Sequence, residues 1–148
     1  MRTRVSIYGL AIQNGTEPDP RILLTQLAPQ CYRAGSWTLP GGGMDFGESP
    51  LQTLVREVHE ESALQATEPE LFHVHSFSEQ TKRGPFQAVQ IVYRIQARGE
   101  PRVLEVGGST AAVAWVPFSE LSDLPKVPVL EAVLAKIGWL NSQAPSGF

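Results

Sequence analysis

The segment Trp37 to Leu64 reads WTLPGGGMDFGESPLQTLVREVHEESAL. Pro40 and the glycines Gly41 to Gly43 end a short extended piece over residues 36–39. Ser49-Pro50-Leu51-Gln52 then carries the signals of a helix start. A serine hydroxyl can accept a free N–H of the first turn, and proline fits the first helical position because it has no N–H to lose. Gln52 stands where its side chain can reach back to the cap. Nothing from there to about Ser62 breaks a helix. At about 100° per residue, Leu51, Leu54, Val55 and Val58 fall within one arc of ~100°, the expected buried face. Glu57, Glu60 and Glu61 fall within a second arc of ~100°, centred ~120° from the first.

Like charges at these spacings repel one another and cost the helix stability. A divalent cation between them turns repulsion into binding. Mg²⁺ takes carboxylate and carbonyl oxygens and usually keeps waters and substrate phosphates in its shell. The preceding glycines let backbone approach such a site closely. Arg56 can hold a neighbouring carboxylate through a forked contact, and Glu48 stands near the positive end of the helix dipole. Each feature alone is weak, since acidic helix faces are ordinarily just solvated. Their joint spacing is what carries weight.

Outward from this segment the chain alternates short strands with few helices. Val5 to Ile12 reads as a strand, residues 13–20 as a loop with Asn14-Gly15 and two prolines, and Arg21 to Leu27 as the partner strand. Leu71 to Phe77 and Phe86 to Ala97 are strand-like, joined by a polar turn holding Lys82, Arg83, Gly84 and Pro85. Val113 to Val116 is a last short strand, Ser119 to Leu124 a helical turn, and Val129 to Leu140 a closing helix. Residues 141–148 read as a frayed tail. Strands and helices without strict βαβ alternation predict one α+β domain over residues 1–148, layered as an α/β/α sandwich.

A chain of 148 residues with 42% hydrophobic and 18% charged residues can bury a core without disulfides. The net charge of −3 and the absence of a basic stripe exclude nucleic acid and anionic membrane as expected partners. Cys31, the single cysteine, makes no intramolecular disulfide, so a cytoplasmic location is expected. No apolar run approaches the ~20 residues of a membrane helix, and Val5 to Ile12 is too short and alternating for a secretory signal. His73 and His75 share a strand face but lack a third ligand, which favours a surface or lining role over metal binding. His59 is expected in solvent, and Cys31 lacks an activating partner. Trp37, Trp115 and Trp139 are expected in the core rather than under a base. Phe46 near the glycine loop and Lys82 and Arg83 at the hairpin tip are read as ordinary surface.

The segment resembles the Nudix box. That signature runs Gly, five residues, Glu, seven residues, Arg-Glu, an aliphatic, one residue, Glu-Glu, one residue, Gly, an aliphatic. Gly42, Glu48, Arg56, Glu57, Val58, Glu60, Glu61 and Leu64 stand at its places. At roughly 7% background for each residue type, such a match arises by chance less than about once in a million starts. Trp37 to Gly43 is similar to the family's lead-in, as Trp115-Val116-Pro117 and Ser119-Glu120-Leu121 are to its closing region, so the resemblance covers residues 3–138. Ala63 stands where the family has Gly, which predicts a shifted or strained helix end at ~1–2 kcal/mol rather than a dead enzyme. Residues 107–114 also lack the acid that many relatives carry before the late Trp. That leaves the identity of any base outside the box open, with Glu100 and Glu105 nearby in sequence.

The resemblance implies a mixed sheet between helices, with the box as loop–helix–loop. It implies hydrolysis of a phosphoanhydride in a nucleoside diphosphate linked to another group, dependent on Mg²⁺ with Mn²⁺ as an alternative. A nucleoside triphosphate, ADP-ribose, a dinucleoside polyphosphate or a nucleotide sugar would each qualify as the small-molecule partner. Glu57 and Glu61 would be direct metal ligands, Glu60 a direct or water-mediated one, and the Gly41 carbonyl a further ligand. Arg56 would orient Glu57, Glu48 would support the loop or hold a water on the metal, and Glu57 or Glu60 would act as base. A nucleotide sensor on the same fold is the alternative. The intact carboxylates argue against it and the missing acid before Trp115 argues for it. RNA decapping would need a cationic channel that this acidic chain lacks. A homodimer is compatible with the family. Substrate-binding residues are unknown, since loops 13–20, 29–36, 79–86 and 99–112 carry no readable code.

Overall fold

Successive side chains of a strand point to opposite faces, and along the first strand this sorts the core into two halves. The computed structural model describes residues 1–14, 16 and 18–139. Strand β1 spans Arg2–Leu10, β2 Ile12–Gln13, β3 Arg21–Leu27, β4 Trp37–Thr38 and β5 Gly41–Gly43. Helix α1 (Pro50–Ser62) is followed by β6 (Gln65–Thr81), β7 (Gly84–Arg98), β8 (Thr110–Pro117), a 3₁₀ turn (Phe118–Asp123) and α2 (Pro128–Lys136). Ile7 of β1 and Leu23 of β3 face Leu54 and Val58 of α1. Leu10, Ile22 and Leu24 face the other way, onto Leu130, Val133 and Leu134 of α2. Each of these side chains is almost fully removed from water, and burial of this kind stabilises by roughly 1.5–3 kcal/mol per residue. The α/β/α layering expected from the sequence is therefore present.

The middle layer, expected as a mixed sheet, has two parts. It is two four-stranded sheets, one ordered β5-β1-β7-β6, the other built on β3 with β2, β4 and β8. Among the paired strands of the described residues, β1 and β7 run parallel and the others antiparallel. Ala11 carries the chain from one sheet to the other, its carbonyl accepting from the Leu23 N–H at 3.0 Å. Among the described residues no helix is long and apolar enough to cross a membrane.

Gly41–Gly43, expected only as a stop, forms β5, with Tyr8 opposite Gly41 and Ser6 opposite Gly43. Pairing with β1 overrides the poor strand propensity of glycine. The hairpin β6–β7 runs further than its apolar residues do, and its turn shrinks to Lys82-Arg83. Residues 76–80 are exposed, so main-chain bonds and the Phe77–Phe86 ring contact at 6.2 Å extend the pair past the core, and polar Ser78 to Gln80 give no strand signal. Helix α2 closes at Lys136, earlier than expected. Leu140 and the tail 141–148 lie outside the described residues.

Helix α1 starts where its sequence says. Ser49 Oγ accepts from the Gln52 N–H at 3.2 Å, and Gln52 Oε1 accepts from the Ser49 N–H at 2.9 Å. Its buried face is a correction. Leu54 and Val58 are buried, but Leu51 and Val55 are 45% and 40% exposed, and Thr53 and Ser62 are buried instead. The helix is rotated so that the Glu57–Glu61 side turns toward β5, which swings Leu51 and Val55 outward.

The helix ends at Ser62, and Ala63 takes the left-handed conformation at φ 67°, ψ 6°, its N–H bonded to the His59 carbonyl. The end is strained and not shifted. Ala63→Gly removes a Cβ clash of ~1–2 kcal/mol but loosens the unfolded chain by ~0.4–1 kcal/mol. A net gain of about 0.5–1 kcal/mol is therefore expected, read as a higher urea midpoint at unchanged slope.

Candidate active site

The Arg56 guanidinium sits at the centre of the box. Its Nε and Nη2 donate to Oε2 and Oε1 of Glu48, both at 2.7 Å, a two-pronged contact. Nη1 donates to Glu57 Oε1 at 2.9 Å and to Glu60 Oε2 at 3.2 Å. Nη2 also reaches the Gly43 carbonyl at 3.2 Å and Asp45 Oδ2 at 3.3 Å. One planar fork thus ties β5, the loop after it and two turns of α1 together. Glu48 accepts further bonds from the Asp45 N–H at 2.9 Å and the Thr53 hydroxyl at 3.1 Å. The Arg56 contact holds the Glu48 carboxyl down to about 2, so Glu48 stays ionised throughout the neutral range.

Asp45 and Thr53 had not been singled out in the sequence. Thr53 was legible in principle, because it lies one and two turns ahead of Glu57 and Glu60 on the same helix side. Asp45 was not, since only the loop's folded path brings it to Arg56. Lysine in place of Arg56 keeps the charge and loses the fork. Arg56→Lys is expected to lower stability by about 1–2 kcal/mol, discounted for partial exposure, and turnover by roughly tenfold. Urea unfolding and steady-state kinetics check the two effects separately.

Glu57 and Glu61 lean against the glycine strand. A Cβ on Gly42 would lie 2.6 Å from the Glu57 carboxylate carbon, so only glycine lets the backbone come this close. Glu61 Oε2 accepts from the Gly41 N–H at 3.0 Å, so the recorded contact of Gly41 with the carboxylates is through its N–H. Burial pushes the Glu57 carboxyl up, with Arg56 opposing. It pushes Glu61 up to about 8, opposed by the Gly41 N–H and reinforced by Glu57, Glu60 and Glu105.

Glu57, Glu60 and Glu61 line one pocket together with Glu105, Val103, Ser109 and Thr110. Of the two acids left open after β7, the fold brings Glu105 to the box and leaves Glu100 exposed outside this lining. Among the described residues no three His, Cys, Asp or Glu side chains form a ready-made cation cage. Arg56 draws Glu57 and Glu60 toward itself, while Glu61 turns to Gly41. The donor set still suits a hard divalent cation: four carboxylates face one pocket, and its lining contains no Lys or Arg.

The other residues weighed lie elsewhere. His73 is buried and His75 half-buried on β6, with ring centres 6.4 Å apart, and neither lines the pocket. His59 is exposed. Trp37 and Trp115 pack against the two core clusters, and Trp139 stacks edge-on against Phe118 at 5.3 Å. Phe46 is fully exposed, and Lys82 and Arg83 form the hairpin turn. The Cys31 thiol donates to the Ser109 carbonyl at 3.5 Å.

Comparison with known proteins bears on this arrangement. The sequence model of one family, described as NUDIX domain, matches residues 2–137. A protein of Mycobacterium tuberculosis, provisionally named 8-oxo-dGTP diphosphatase 3, is 31% identical over 144 residues. That match covers 93% of this chain and 65% of the relative, so the chain spans about two thirds of that protein's length. The CTP pyrophosphohydrolase of Escherichia coli is 42% identical over 59 residues, covering 40% of this chain and 44% of that one. Among solved structures, a MutT NUDIX hydrolase from Burkholderia pseudomallei superimposes with a TM-score of 0.77 at 26% identity, over 93% of this chain and 99% of that one.

Proposed function

The chain belongs to the Nudix family, and from that premise we propose that it hydrolyses a phosphoanhydride bond of a nucleoside triphosphate with the help of a divalent cation, Mg²⁺ or Mn²⁺. The observation that carries this reading is the pocket where Glu57, Glu60 and Glu61 meet Glu105 beside the glycine strand. Two relatives support the substrate class, since their names describe action on 8-oxo-dGTP and on CTP.

Glu57, Glu60 and Glu61 would hold the cation, with the Gly41 carbonyl as a further ligand. When bound, it supplies charge neutralisation on the pyrophosphate oxygens. The chain's own residues do the rest. Glu57 or Glu60 takes the proton from the attacking water. The water oxygen bonds to one phosphorus, the bridging P–O bond breaks, and pyrophosphate leaves. Arg56 restrains both carboxylates before substrate arrives, which limits the reorganisation needed to take up the cation. Glu48 in turn fixes Arg56. Glu105 lines the same pocket from the loop after β7, and it replaces the acid missing before Trp115. That placement weakens the sensor reading, whose support was this missing acid.

The test is release of phosphate or pyrophosphate from a panel of nucleoside triphosphates, ADP-ribose, dinucleoside polyphosphates and nucleotide sugars, with Mg²⁺ and with chelator. Pyrophosphate from a triphosphate, lost with chelator, is the expected result. Turnover of another panel member alone would move the substrate class. A folded, Mg²⁺-binding protein with no turnover at all would return the sensor reading.

A further inference from the structure

The carboxylate of Glu105 reaches the pocket from the irregular loop 99–109. This loop has few bonds of its own. At its start the Arg102 N–H donates to the Ser62 carbonyl at 2.9 Å, tying it to the end of α1. Within it the Gly108 N–H reaches the Glu105 carbonyl at a long 3.4 Å. Further hydrogen bonds come from the segment after β3. Gln30 Nε2 donates to two successive carbonyls, Gly107 at 3.1 Å and Gly108 at 2.6 Å. The Ala28 N–H donates to the Ser109 carbonyl at 2.9 Å, and the Cys31 thiol approaches the same oxygen.

The clamp falls on the residue against which Glu105 rests. A Cβ on Gly108 would stand 2.8 Å from Glu105 Oε2 and 3.0 Å from its Cβ. Glu105 thus packs against the bare face of Gly108, so a shift of Gly108 changes the room open to the carboxylate. Gly107, at φ 80°, belongs to a glycine pair with wide conformational freedom, so the outside bonds are what restrict the loop. Both hydrogens of the Gln30 amide are used in doing so.

We propose that Gln30 is a positioning residue: by clamping Gly107 and Gly108 it sets the Glu105 carboxylate against the box acids and completes the cation-binding pocket. This rests on the metal-dependent reading above. Gln30 is not among the residues that line the pocket and its two hydrogen bonds go to Gly107 and Gly108, so its effect passes through Glu105.

Mn²⁺ alone, read by its electron paramagnetic resonance signal, tests this without substrate. Four proteins are compared: wild type, Gln30→Ala, Glu105→Gln and the double variant. Gln30→Ala is expected to weaken Mn²⁺ binding roughly fivefold, the size of a lost hydrogen-bond pair at the surface. It should also speed amide exchange of the Gly108 and Ser109 N–H groups in the metal-free protein. Glu105→Gln should weaken Mn²⁺ more, and adding Gln30→Ala to it should change nothing further. An equal loss from Gln30→Ala in both backgrounds would overturn the proposal, as would unchanged Mn²⁺ affinity in either single variant. A wild-type protein that binds no Mn²⁺ would instead overturn the metal-dependent reading and this proposal with it. Thermal unfolding of each variant separates these outcomes from loss of fold.

Discussion

Glu57→Gln is expected to lower kcat by on the order of 10²–10³ while the protein stays folded. The change keeps shape and removes charge. It takes an anionic oxygen from the cation and a proton acceptor from the attacking water in one step. Stability should move little. The amide oxygen can still accept from Arg56, which donates to Glu57 at 2.9 Å. One of several mutually repelling carboxylates is also gone, and burial already disfavours the ionised form of this one. The measurement is single-substrate kinetics on whichever panel member turns over, beside a thermal melt. Near-normal kcat would remove Glu57 from its assigned place and leave Glu60 as the proposed base.

Gly42→Ala comes next, with a loss of about a hundredfold in kcat at nearly unchanged stability. The added methyl would sit 2.6 Å from the Glu57 carboxylate carbon and from Oε2. The backbone of Gly42 does not lie in the left-handed region, so alanine fits the main chain without strain. The clash is with the free end of a side chain, which can swing away. The fold therefore survives, and the carboxylate moves by an ångström or so. Misplacement of that size is worth about 10² in rate. A variant with full activity would mean that the close approach of β5 to Glu57 has no catalytic consequence. A variant that fails to fold would mean that the carboxylate is less free to move than its position suggests.

Both predictions depend on tertiary distances, yet the residues in them were identified from one-dimensional spacing. The reason is local. The glycines, the cap, the arginine and the three helix carboxylates lie within a single loop and helix. Helical geometry fixes their relative directions once the period is known. Capping chemistry placed the start of α1 at Ser49, and the pattern placed its end at Ala63, where the chain accepts a left-handed alanine rather than moving the boundary. Strand β3 was likewise legible to the residue, because an apolar run, Ile22 to Leu24, lies between turn residues and is continued by β-branched Thr25.

What the sequence alone left undecided were the relations between distant segments. The rotation of α1 that exposes Leu51 and Val55 follows from its contact with β5, which no helical wheel contains. The chain passes from one sheet to the other at Ala11, whose carbonyl accepts from the distant Leu23 N–H. The tip of the hairpin β6–β7 beyond Phe77 and Phe86 is held by main-chain bonds, where polar residues carry no strand signal. Glu100 and Glu105 were equivalent on paper. Only the path of the loop after β7, tied at one end to Ser62 and clamped near the other by Gln30, places Glu105 in the pocket and leaves Glu100 in solvent. Local spacing thus picked out the candidate site residues. Long-range packing decided which of them meet.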